Sequence, residues 1–97
     1  ERMDQFLYQC DDTYITVCSD VFSSAFAPGV SAPQSLGLDP EIVLPLIKHV
    51  LRTRKVRGFD ICEISPRFDQ DNTTANLGAV IIFAVVNTLC RLNGLSI

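Results

Sequence analysis

Thr13-Tyr14-Ile15-Thr16-Val17 decides the fold, because this β-branched and aromatic run reads as a strand. Before it, residues 1–10 place Met3, Phe6, Leu7 and Cys10 at helical spacing, and Asp11-Asp12 turns the chain between the two. After it, residues 19–38 hold Ser, Pro and Gly among small residues with no period. Long irregular connections of that kind are usually kept for binding or catalysis. Asp39-Pro40-Glu41 then opens a helix, with Asp as N-cap, Pro at the first helical position and an acid in the first turn. Ile42, Val43, Leu46, Ile47, Val50 and Leu51 form one apolar stripe, and Pro45 beside it removes one backbone hydrogen bond and bends the helix. Val56 to Ile64 (VRGFDICEI) is the next strand. Asp71-Asn72-Thr73 supplies capping side chains for a last helix running to about Arg91, and Asn93-Gly94 stops it. Leu77 to Val86 is apolar all round, which predicts burial on most sides.

The order (α)βαβα predicts an α/β fold whose parallel strands are joined by crossover helices. Two parallel strands cannot bury both faces of a sheet alone. Residues 1–97 are therefore expected to be a fragment of a larger three-layer α/β sheet, or to assemble into one. Composition agrees: 47% of residues are hydrophobic and 20% charged, more apolar than a chain with so much surface should be. The chain starts at Glu1-Arg2-Met3 with no initiator Met or signal-peptide pattern, which fits the same expectation.

A net charge of −3 and a pI near 4.8 argue against nucleic acid or an anionic membrane as partner. Arg52, Arg54, Lys55 and Arg57 make one short basic run, placed where positive charge suits a helix C-terminus. Leu77 to Val86 falls short of the ~20 residues that span a bilayer. The cysteines Cys10, Cys18, Cys62 and Cys90 are widely spaced without a C-x-x-C pair, and three sit in apolar runs. That pattern fits reduced, buried thiols and a cytoplasmic location.

In open parallel sheets ligands bind beyond the carboxyl ends of the strands. Asp20 follows the first strand, and Glu63 ends the second, just before Ser65-Pro66. Asp60 lies three residues earlier and points to the other face. Two carboxylates converging at one edge suit metal binding or recognition of a cationic group. Capping of helix ends or loop amides accounts for the same pattern equally well. His49, the sole histidine, lies mid-helix away from the apolar stripe and reads as a surface imidazole without a role.

The run Thr16-Val17-Cys18-Ser19-Asp20, followed by Pro28-Gly29 and by Gly37, resembles the signature of the ureohydrolase family of arginases, agmatinases and formiminoglutamases. A second family block, an apolar strand ending in Asp-x-x-Glu-x-x-Pro, is similar to Asp60-Ile61-Cys62-Glu63-Ile64-Ser65-Pro66. Two blocks in the right order and at the right distance are far more specific than either alone. The variant Ala27-Pro28-Gly29-Val30-Ser31-Ala32-Pro33 resembles formiminoglutamases more than arginases.

The resemblance implies an arginase-like fold, with residues 1–97 as a single segment, the C-terminal βαβα part of its three-layer α/β/α parallel sheet. It implies metal-dependent hydrolysis of the C–N bond of N-formimino-L-glutamate to glutamate and formamide, a step of histidine degradation. A guanidino substrate such as arginine or agmatine, or a non-catalytic homologue with a degenerate site, stands as the alternative. It further implies two Mn²⁺ ions, a small-molecule substrate and a homo-oligomer. By the family's pattern Asp20 is a metal ligand and Glu63 faces the amidine-like group of the substrate. Cys18 departs from the pattern, standing where the family has an aspartate that bridges both ions. It is a subfamily ligand, a non-ligand thiol beside a one-metal site, or the mark of a weakened enzyme; from its residue type alone it is a small buried hydrophobe. Ser24 and Thr16 replace the usual Pro and Ser. The family's His-containing ligand segment has no match among these residues, so the 97 residues alone are expected to hold no complete catalytic set.

Overall fold

A computed structural model describes residues 2–95. Glu1, assigned above to the first helix, lies outside the described residues, as do the final two positions of the 1–97 segment. The elements run α1 (Arg2–Gln9), β1 (Thr13–Cys18), a 3-10 turn (Ser19–Val21), α2 (Pro40–Leu51), β2 (Val56–Cys62), a second 3-10 turn (Pro66–Phe68) and α3 (Thr73–Leu92). β1 and β2 pair in parallel, with Ile15 opposite Phe59, Val17 opposite Ile61 and Cys18 opposite Cys62. The α/β class and the βαβα order are those expected from sequence. β2 stops two residues before Ile64, because Glu63 turns into the left-handed region at φ 67° and ends the alternation.

Alternation along the strands assigns each residue a face. Val17 packs in one core with Ile47 and Leu51 of α2 and Ile81 and Val85 of α3, and Ile15, Phe59 and Ile61 lie against it. The crossover helix α2 and the final helix α3 thus cover the same face. The opposite face carries Tyr14, Thr16 and Asp60, and the Asp60 carboxylate accepts hydrogen bonds from the Tyr14 hydroxyl (2.9 Å) and Thr16 Oγ1 (3.4 Å). The described residues therefore supply two of the three layers expected.

α2 begins as its sequence predicts: Asp39 Oδ1 accepts from the Glu41 amide at 2.8 Å and Pro40 is buried at the first helical position. Its stripe is buried at Ile47 and Leu51 but open at Ile42 and Leu46. The open part faces the uncovered flank of β1, where Ile15, Val17, Val43, Leu46 and Ile47 line an apolar groove. His49 lies at the surface, 2.5 Å from Asp4 of α1.

The start of α3 differs from expectation. Asp71 and Asn72 both adopt positive φ, and Asn72 makes no side-chain cap. Asp69 caps instead, accepting from the amides of Gln70 (3.0 Å), Thr74 (2.9 Å) and Ala75 (3.0 Å). Asp71 and Asn72 form the left-handed turn that folds the chain back toward that carboxylate. The stop is as predicted: Gly94 has φ 74° and the Leu95 amide bonds to Cys90 O at 2.8 Å.

Burial of α3 is narrower than its composition predicts. Thr74, Gly78, Ile81 and Val85 make the buried stripe, while Val80, Ile82, Phe83 and Val86 are exposed. The reason is geometric, since one face of a two-stranded sheet can cover one stripe of a helix. The apolar run also extends further than Leu77 to Val86 implied. The 20-residue helix, with an 18-residue window of mean hydropathy 1.7, is long and apolar enough to cross a membrane by length and composition.

Candidate active-site edge

The irregular stretch after β1 is held by backbone pairing. Val21 O accepts from the Leu38 amide (2.8 Å), Leu38 O from Ser23 N (2.9 Å) and Gln34 O from Ser24 N (2.9 Å). Phe22 and Ala27 are buried beneath these bonds. Gly37 crosses the backbone of Phe22 so closely that a Cβ there would sit 2.5 Å from the Phe22 carbonyl carbon, which leaves no room for any other residue. Pro28-Gly29 then reaches the far side of the edge. The Gly29 amide donates to Thr74 Oγ1 at 2.7 Å, and Gly29 O accepts from the Ser65 amide at 2.7 Å. A Cβ on Gly29 would meet Asp69, the cap of α3, at 2.7 Å. Both motif glycines are thus sites of close approach between segments.

Cys18 ends β1 and Cys62 ends β2, opposite one another in the parallel register. Their sulfurs lie 3.5 Å apart, and the Cys62 thiol also reaches Val17 O at 3.6 Å. Cys18 is exposed and Cys62 half-buried, which corrects the expectation of buried thiols. The alternation of β1 puts Cys18 on the face away from the core, and the edge leaves it open. The hydrogen bond to Cys18, then burial, then the charges of Cys18, Asp60 and Glu63 push the Cys62 thiol up to about 11. Asp20 stands two residues beyond Cys18, half-buried in the 3-10 turn, and Glu63 one residue beyond Cys62, exposed at the strand exit.

All the predicted site residues therefore share the carboxyl edge of the sheet, but they do not converge on a point. Among the described residues no group of three or more His, Cys, Asp and Glu side chains is arranged to hold a metal ion. On donor chemistry, Asp20 fits a hard divalent ion, whereas the Cys18 sulfur suits a softer one. The residue that sequence reasoning missed is Cys62. Its position at the end of the second strand, matching Cys18 at the end of the first, was the available signal.

The sequence model described as the Arginase family matches residues 1–87. The chain belongs to the arginase family, and the resemblance carried by the two blocks is borne out. It is 62% identical over all 97 residues to a formimidoylglutamase of Clostridium tetani, spanning 29% of that relative's length. Among solved structures it superposes on the formimidoylglutamase from Bacillus subtilis with TM-score 0.83 at 24% identity, covering 90% of this chain and 27% of that one. It also superposes on the proclavaminate amidino hydrolase from Streptomyces clavuligerus with TM-score 0.76 at 33% identity, over 84% of this chain and 27% of that one. The arginase-like fold expected from sequence follows from these matches.

Proposed function

We propose that the protein containing this chain is a formimidoylglutamase, hydrolysing N-formimino-L-glutamate to glutamate and formamide in histidine degradation. The observation that carries the reading is the 62% identity to a formimidoylglutamase along the entire chain. The substrate is a small molecule, the location cytoplasmic and the assembly a homo-oligomer. In this reading Mn²⁺ is the cofactor, with Asp20 and Cys18 contributing to its ligand set and further ligands lying outside these residues. Bound divalent metal lowers the pKa of water and so supplies hydroxide near neutral pH.

The chain's own residues do the positioning. Glu63, exposed at the strand exit, is aimed by a left-handed backbone that few non-glycine residues adopt without a reason. A carboxylate facing a planar N–C–N cation gives direction as well as charge. The bonds from Gly29 to Ser65 and Thr74 hold the loop after β1 against the exit of β2, two residues beyond Glu63. A guanidino hydrolase is the second reading, favoured by the 33% identity to an amidino hydrolase. A non-catalytic homologue is the third, favoured by the thiol at position 18.

Full-length protein incubated with Mn²⁺ separates these readings. Formamide released from N-formimino-L-glutamate is expected; urea from arginine or agmatine would establish the second reading. Turnover of neither, with fewer than one tightly held Mn²⁺ per subunit, would establish the third. Glu63→Gln is expected to raise KM at least tenfold, by loss of a charge-assisted pair worth roughly 1.5–3 kcal/mol. If position 18 is a ligand site, Cys18→Asp keeps or raises activity; full activity and metal content in Cys18→Ala would refute that role.

A further inference from the structure

We propose that Cys18 and Cys62 are a reversible disulfide-forming pair that staples the two strands together at the carboxyl edge. Four features of the geometry point there. The residues are register partners on adjacent parallel strands. Neighbouring strands run ~4.8 Å apart, inside the ~4.4–6.8 Å range of Cα separations that a disulfide tolerates. The sulfurs are already 3.5 Å apart, so closing to a bond of ~2.05 Å asks for a small side-chain rotation rather than a backbone movement. Cys18 is exposed, which gives an oxidant a way in.

The chemistry is thiol–disulfide exchange with a low-molecular-weight disulfide. The Cys18 thiolate attacks one sulfur of that disulfide and expels one thiolate, leaving a mixed disulfide on Cys18. The Cys62 thiolate then attacks the Cys18 sulfur and expels the second. The protein dithiol loses two electrons and two protons, and the external disulfide is reduced to two thiols. Cys18 is the entry thiol because it is the more exposed of the two and the acceptor of the Cys62 thiol hydrogen bond. In a reducing compartment such a link is transient, formed under oxidative load and reversed by the thiol pool. It forms one residue from Glu63 and two from Asp20; it does not depend on which substrate the edge serves, but a Cys18 held as a metal ligand is not free to form it.

The test uses full-length protein freed of divalent metal by a chelator, so that Cys18 is not held as a ligand, then incubation with glutathione disulfide, alkylation of the remaining thiols and peptide mass spectrometry. Trypsin leaves Cys10 and Cys18 on the single peptide 3–48, so a Cys10→Ser background assigns the link. In that background a linked pair of peptides carrying Cys18 and Cys62 is expected, with Cys90 still alkylated and dithiothreitol restoring both thiols. Cys62→Ser is expected to trap glutathione on Cys18, whereas Cys18→Ser gives no link. Free thiols at both positions, or a separate glutathione on each, would overturn the proposal. The Cys10→Ser protein, which keeps both Cys18 and Cys62, decides the matter even if a serine variant at either of those positions fails to fold.

Discussion

Asp69 shows how one carboxylate ties three segments together. It caps α3 through the amides of Thr74 and Ala75, and its side chain fills the space that a Cβ on Gly29 would need. Burial raises its pKa, but the amide and hydroxyl donors around it outweigh that effect and hold the carboxyl below its ordinary value. A depressed folded-state pKa gives stability that is present above the unfolded value and lost as pH falls through the folded one, here below pH ~4. Asp69→Asn is therefore expected to melt at lower temperature than wild type at pH 7, with the gap closing at pH 3. Thermal melts followed by circular dichroism at the two pH values check this; an equal gap at both would remove the charge from the account. Asp69 was not legible as the cap, since Asp71 and Asn72 stand nearer the helix and are equally good capping types. What decided between them was backbone conformation, which composition does not encode. Cys18 and Asp20 were legible as edge residues, because a strand followed by a motif fixes where its last residue points.

At the scale of elements, the strands and helices were readable because each carries its own local cause. β1 has its β-branched run, and α2 has Asp39, Pro40 and an apolar period. Burial was less readable. The stripe of α2 and the apolar girth of α3 promise contact on faces that the two-stranded sheet does not reach. The core lies where both helices meet the inner face, at Leu51 and Ile81, each fully buried. Ile81→Ala is expected to destabilise by roughly 2–5 kcal/mol, as a transfer loss with a residual cavity. Val80→Ala, one residue away but more than half exposed, is expected to cost under about 1 kcal/mol. Denaturant midpoints of the two variants test the assignment of the buried stripe. Comparable losses would mean that α3 is rotated or covered on its outer face as well.

Across the whole molecule, the described residues leave much apolar surface open, including Phe6, Tyr8, Tyr14, Val80, Phe83 and Val86. Contiguous patches of that kind mark interaction surfaces or association liabilities. The chain matches a relative along all of its own 97 residues but spans 29% of that relative's length. The isolated 97-residue polypeptide is expected to self-associate and to bind a hydrophobic dye, both checked by sedimentation velocity and fluorescence titration. A monodisperse, dye-silent monomer would contradict the exposed faces described above.

The stitch at Gly29 has a further consequence, for the timescales on which the edge opens. Its amide bonds to a hydroxyl on the first turn of α3, and its carbonyl holds the amide of Ser65. Fraying of that helical turn therefore unlatches the loop after β1 at the same moment, and the segments open as one cooperative unit. Native-state hydrogen exchange should give the Gly29 and Ser65 amides one common opening free energy, shared with the first turn of α3. Thr74→Val leaves the Gly29 amide without its acceptor at a cost of roughly 1–3 kcal/mol. That variant should speed exchange at Ser65, a residue it does not touch, while the centre of α3 keeps its protection.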